Sequence, residues 1–176
     1  MAEPRPSLVV LMGVSGSGKS TLGVALATRL GWPFLDADDF HPPENLQHMA
    51  SGLPLTDTMR EPWLNNLEST LQGHALEGRH CVLAFSGLRY AHRERLRALQ
   101  FRHFLIHLTA PPDVIARRLA SRQGHFMPAS LLASQQRDLE VPGNGEDVYT
   151  LDVTAQPEQL AISVVDAVSC FLLHAQ

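Results

Sequence analysis

Three features of this 176-residue chain predict an α/β fold built on a five-stranded parallel sheet with helices on both faces. Short apolar runs alternate with amphipathic stretches from end to end. No repeat or low-complexity segment breaks the alternation. A glycine-rich turn joins the first apolar run to the first amphipathic stretch, where a parallel α/β sheet would gather a ligand.

Residues 8–12 read as a strand buried on both faces, because five apolar side chains in a row leave no polar face for water. After the turn, residues 19–30 predict a helix closed by Gly31, the residue type that best accepts a left-handed C-terminal backbone. Residues 34–36 form a second, short strand. Residues 42–50 and 60–76 predict helices; Gly52 lies just past the first, and Thr56 or Asp57 can cap the second. Residues 79–86 form a third strand, 90–99 a basic helix and 104–109 a fourth strand. A helix from near Pro112 carries Arg117, Arg118 and Arg122 into Gly124, and residues 128–139 begin another. Residues 148–153 are the last strand and 157–173 the closing helix. Helical crossovers make the strands parallel and their connections right-handed, so a ligand belongs at their carboxyl ends.

At 19.4 kDa the chain is expected to form one domain over residues 1–176. It is 44% hydrophobic and 18% charged, within the globular range. Fourteen basic against eighteen acidic side chains leave a net charge of -4, which excludes a generic pull toward nucleic acid or anionic membrane. The longest apolar runs are about five residues, far short of the roughly 20 that span a bilayer. The N-terminal segment lacks a basic region and predicts no secretory signal. Cys81 and Cys170 fit no metal-binding or redox spacing, and each lies in an apolar run where a buried thiol is expected. A reducing, cytoplasmic setting follows.

Chemistry concentrates in Gly13-Val14-Ser15-Gly16-Ser17-Gly18-Lys19-Ser20, which satisfies G-x-x-x-x-G-K-[ST] between a buried strand and a helix start. The glycines let backbone N–H groups of the loop turn inward around phosphate, and the helix end adds partial positive charge. Lys19 reaches the β and γ phosphates, the Ser20 hydroxyl ligates magnesium, and Thr21 completes the nucleotide-binding run. Lys19 is the only lysine among fourteen basic residues. A chain that otherwise uses arginine thus places a slender point charge where phosphate oxygens crowd. A nucleotide's phosphate tail and Mg²⁺ are what this loop is predicted to bind. The D-x-x-G and N-K-x-D elements of a GTPase switch are both missing. Neither the third nor the fourth apolar run ends on the acid that an ATPase motor uses for magnesium. A small-molecule phosphotransferase remains.

Asp36, Asp38 and Asp39 follow the second strand, beside the expected loop. In extended chain, residues two apart point the same way, so Asp36 and Asp38 can address one site. One would hold hydrated magnesium and the other accept a proton from an attacking hydroxyl. Asp39 better fits a cap for the next helix.

At these residues the chain resembles the gluconokinase family, small P-loop kinases that phosphorylate the 6-hydroxyl of D-gluconate with ATP. The resemblance extends to Leu35-Asp36-Ala37-Asp38-Asp39-Phe40-His41-Pro42, to Met49-Ala50-Ser51-Gly52 with Pro54-Leu55, and to Asp57, Arg60, Pro62, Trp63 and Leu64 as D-x-x-R-x-P-W-L. Arg122-Gln123-Gly124-His125-Phe126 matches R-x-G-H-F. The family is similar to shikimate kinases, which implies the P-loop fold of the nucleoside-monophosphate and shikimate kinase type, with a helical lid over about 117–140. The resemblance makes Asp38 the base and Asp36 the magnesium partner at one remove. Arg60 becomes a carboxylate clamp, with Arg89, His125 and Gln135 also on the acceptor. Arg118 would lie against the nucleotide and Arg122 near the transferred phosphoryl group. A homodimer is also implied. Trp63, on an apolar stripe with Leu64 and Leu67, reads as core, and the histidines other than His125 read as incidental.

The departures fall on the acceptor side. The family's C-S-A-L-K-x-x-Y-R stands here as residues 85–93, with Arg89 for lysine and His92 for tyrosine. Met59 replaces the acid that usually precedes Arg60, and residues 134–140 only partly follow S-Q-F-x-x-L-E. A kinase for shikimate or another sugar acid, and a nucleotide-binding regulator without turnover, are the alternatives.

Overall fold

The computed structural model describes residues 5–121, 131–143 and 145–173. Five strands, β1 (Ser7–Met12), β2 (Phe34–Asp36), β3 (Cys81–Phe85), β4 (Arg102–Thr109) and β5 (Val148–Asp152), form one sheet in the order β2-β3-β1-β4-β5. Every pairing is parallel, as the crossover pattern predicts. The helices are α1 (Lys19–Leu30), α2 (Pro43–Ala50), α3 (Asp57–Leu76), α4 (Tyr90–Arg97), α5 (Pro112–Ala120), α6 (Leu131–Asp138) and α7 (Pro157–Leu173).

The β1 side chains divide the core in two. Leu8, Val10 and Met12 pack with Trp63, Leu64 and Leu67 of α3, while Val9 and Leu11 pack with Leu22 and Leu26 of α1 and Val164 of α7. Both faces of the central strand are therefore dry, which is why its residues run apolar without alternation. Gly23 lets α1 lie this close: a methyl group there would sit 2.4 Å from the Phe34 ring. Gly31 closes α1 at φ 68°, with its region's N–H groups returned to the last turn.

Helix α3 starts three residues before the expected position because the Thr56 hydroxyl accepts from the Met59 N–H, 3.3 Å. Pro62 then falls inside the helix, where it has no N–H to offer the preceding turn. Asp39 does not cap α2; it lies in a 3-10 turn over Ala37–Phe40, and Pro42 takes the cap position. Helix α5 ends at Ala120, before the predicted stop at Gly124; residues 122–124 and 128–130 lie outside the described residues. Cys81 is buried, but Cys170 is exposed, because it projects from α7 away from the sheet-facing stripe of Leu160, Val164 and Val168. Among the described residues no helix is long and apolar enough to cross a membrane.

The chain leaves β1 between β3 and β4, where the crossovers part to opposite halves of the sheet. The glycine-rich loop emerges at this switch point, and the Gly13 N–H donates to the Ser86 carbonyl beyond β3, 3.1 Å.

Candidate active site

The loop between β1 and α1 holds Gly13, Gly16 and Gly18 at φ 146°, 82° and 97°. An L side chain is strained there, and at two of the three it would also collide. A Cβ on Gly13 would meet the Leu108 carbonyl at 2.8 Å, and one on Gly16 the Leu119 side chain at 2.8 Å. The Lys19 ammonium donates to the Gly13 and Val14 carbonyls at 3.0 and 3.1 Å, folded along the loop it serves.

At the start of α1, the Ser20 hydroxyl donates to Asp36 Oδ2, 2.6 Å. The other oxygen of Asp36 accepts the Asp38 backbone N–H, 3.1 Å. One carboxylate thus ties the loop's serine to the acid that follows it. Both the Ser20 hydroxyl and the Asp36 carboxylate are hard oxygen donors, the type that suits magnesium, which keeps much of its own water. Asp38 lines a cleft together with Ser15, Lys19 and Arg60.

The wall behind Asp38 includes residues that pattern reading passes over. The Trp63 indole N–H donates to the Ala37 carbonyl, 2.6 Å, so the single residue between the two acids is gripped from α3. Trp63 is core, as its stripe predicts, and it also fixes the site. His41 stacks on Trp63, ring centroids 4.4 Å apart, with Nε2 4.0 Å from Asp38. Burial first, and the nearby Arg60 charge second, lower its pKa to about 4. His41 is therefore a neutral wall residue, not incidental; adjacency to the acid run was its only trace in the sequence.

Arg60 and Arg89 come together although 29 positions separate them, and both are committed to carboxylates. Arg60 donates to Asp57, 2.9 Å, and to Asp138, 2.7 Å. Arg89 reaches Asp57 at 2.7 Å and Asp138 at 3.3 Å. Burial acts to lower the Arg89 pKa, but the charges of Asp138 and Asp57 outweigh it and raise the value. His92 lies nearby, its pKa lowered by burial and then by Arg60 and Arg89. Asp138 is 78 positions from Arg60, and no spacing rule could have joined them.

Gln135 lies toward the phosphate loop: its Oε1 accepts the Ser15 N–H, 2.7 Å. Arg118 lies in a separate cleft with Gly16, Thr21 and Pro157, and donates to the Val153 carbonyl at 2.5 Å. The expected nucleotide contacts Thr21 and Arg118 thus share one side of the loop. Arg122 and His125 lie outside the described residues.

A parallel sheet in this order, a glycine loop leading into α1 and paired acids after β2 define a P-loop phosphotransferase of the small-molecule kinase class. The AAA domain family model matches residues 8–142. A gluconokinase of Gluconobacter oxydans (strain 621H) is 44% identical over 154 residues, covering 88% of this chain and 86% of that one. The thermoresistant gluconokinase of Escherichia coli (strain K12) is 36% identical over 92% of this chain and 93% of its own. Among solved structures, a gluconokinase from Sinorhizobium meliloti 1021 superposes with a TM-score of 0.80 at 35% identity, covering 98% of both chains. The chain belongs to the gluconokinase family.

Proposed function

We propose that the protein transfers the γ-phosphoryl group of ATP to the 6-hydroxyl of D-gluconate, giving 6-phospho-D-gluconate and ADP. The observation that carries this reading is one cleft lined by Lys19 and the phosphate loop, by Asp38 and by Arg60. A donor grip, a base and a carboxylate-binding group then meet around one volume.

Magnesium, when bound, neutralises charge on the phosphate oxygens, and Ser20 with Asp36 at one remove would hold it. The backbone N–H groups of Gly16, Gly18, Lys19 and Ser20, with the Lys19 ammonium, bind the phosphate tail. Arg118 packs against the nucleotide, with Arg122 reaching the transferred group. Asp38 accepts the proton of the acceptor hydroxyl as that oxygen bonds to phosphorus and the bond to the ADP oxygen breaks. Asp36 and Trp63 hold the N–H and the carbonyl of the one peptide unit that leads into Asp38, so the base is positioned before substrate arrives. Arg60, Arg89 and His125 complete the acceptor side, and Gln135 joins it to the phosphate loop.

An ADP-release assay across D-gluconate, other aldonates and shikimate tests this reading. Turnover should require gluconate, and Asp38→Asn should lower it by about 10² to 10⁴-fold, the usual weight of a general base. ATP binding without acceptor-dependent turnover would overturn the kinase reading. Full activity in Asp38→Asn would remove the base assignment alone.

A further inference from the structure

Within the cleft just described, Asp138 occupies a place that the chemistry reserves for something else. Its two oxygens are divided between two guanidinium groups, Oδ2 on Arg60 at 2.7 Å and Oδ1 on Arg89 at 3.3 Å. A carboxylate held between two arginines is the arrangement by which such a pair would bind the acid group of a sugar acid. The two arginines and two aspartates of the ring carry formal charges that cancel, so an entering anion meets no net attraction there.

The two carboxylates of the ring are not equivalent. Asp57 belongs to α3, as Arg60 does, and its side chain is 68% exposed on the outer side. Asp138 ends α6, is 25% exposed, and lines the cleft together with Asp38 and Lys19. Asp138 therefore stands on the cleft side of Arg60, where an acceptor carboxylate meeting that guanidinium from the cleft would have to compete with it.

We propose that Asp138 is a specificity-determining residue, an internal carboxylate that bars small anions from the arginine pair and yields only to an acceptor whose hydroxyl groups add further contacts. The inference rests on the assignment of this cleft to a sugar acid. Displacing Asp138 breaks two ion pairs, and a carboxylate alone replaces them with two of the same kind for no net gain. A polyhydroxy acid also bonds elsewhere in the cleft, which tips the exchange. Selection against the wrong ligand is thus supplied by competition from within the chain.

The test compares wild type with Asp138→Asn, a neutral residue of the same shape, and with Asp57→Asn, which makes the same change in net charge on the outer side. D-Glycerate, a three-carbon hydroxy acid, serves as the small anion. Its binding is followed by calorimetry and by inhibition of gluconate turnover. Asp138→Asn should bind glycerate at least about tenfold more tightly and show a lower KM for gluconate with kcat little raised. Asp57→Asn should bind glycerate as wild type does. A merely structural ring predicts a higher KM or lower kcat in Asp138→Asn with no gain in glycerate binding, and that result would overturn the proposal. Equal gains in both variants would also overturn it, because net charge alone would then be responsible. A wild type that neither binds nor turns over gluconate would defeat the functional reading instead. The calorimetric comparison of glycerate would still decide the role of Asp138.

Discussion

His41 shows how one buried ring couples the site to stability. Its pKa of about 4 in the folded protein, against 6.5 for an exposed histidine, means that the native state binds fewer protons than the unfolded chain between those values. The stabilisation is fully present above pH 6.5 and is lost as pH falls toward 4, since the unfolded chain protonates first. Between pH 7.5 and 5 the loss should be about 2 kcal/mol. Urea unfolding at both pH values checks this against His41→Phe, which keeps a ring on Trp63 but binds no proton. Parallel losses in the two proteins would show that His41 is not the group responsible. The same residue marks the limit of sequence reading. Lys19, Ser20 and Asp36 stood out as candidates because each lies in a short local run, the loop motif or the acids that follow a strand. His41 did not, because its burial is created by Trp63, 22 positions away.

Elements here are tied to one another by charge as well as by apolar packing. Arg93, on α4, is 1% exposed, and its guanidinium meets Glu146 with two bonds, 2.7 and 2.6 Å. Its remaining nitrogen donates to the Gly87 carbonyl, 2.8 Å. The bond from Arg93, partly opposed by burial, draws the Glu146 pKa down to about 2. This pair fastens the segment before β5 to the chain after β3, next to Arg89. Glu146→Ala should cost about 3 to 5 kcal/mol in urea unfolding, because it leaves a buried charge uncompensated. The double substitution Arg93→Met with Glu146→Leu should recover most of that loss. A single-substitution cost below about 1 kcal/mol would mean that Arg93 finds water instead. Helix α6 ties elements in another way. Gln135 and Asp138, three residues apart on one helical face, reach the phosphate loop and the arginine pair, so one short helix spans both halves of the cleft.

Across the whole molecule, burial decides which groups can react. Cys81, at the start of the internal strand β3, has its thiol pKa pushed up by burial to about 11, while Cys170 is exposed on α7. A thiol reagent at pH 8 should label Cys170 in the native protein and reach Cys81 only on global unfolding. Labelling of both at one rate would show that the sheet opens locally. Both cysteines lie in apolar runs, and the sequence does not say which side of a closing helix faces the sheet. By itself, the sequence determined the α/β class, the strand and helix order, the phosphate loop and the paired acids, since each depends on residues within about eight positions of one another. Only the tertiary structure decided the sheet order, the grip of Trp63 on the acid run, and the carboxylate partners of Arg60 and Arg89. The physical reason is that strand placement and ion pairing depend on which distant surfaces become dry together, and that is a property of the packed chain.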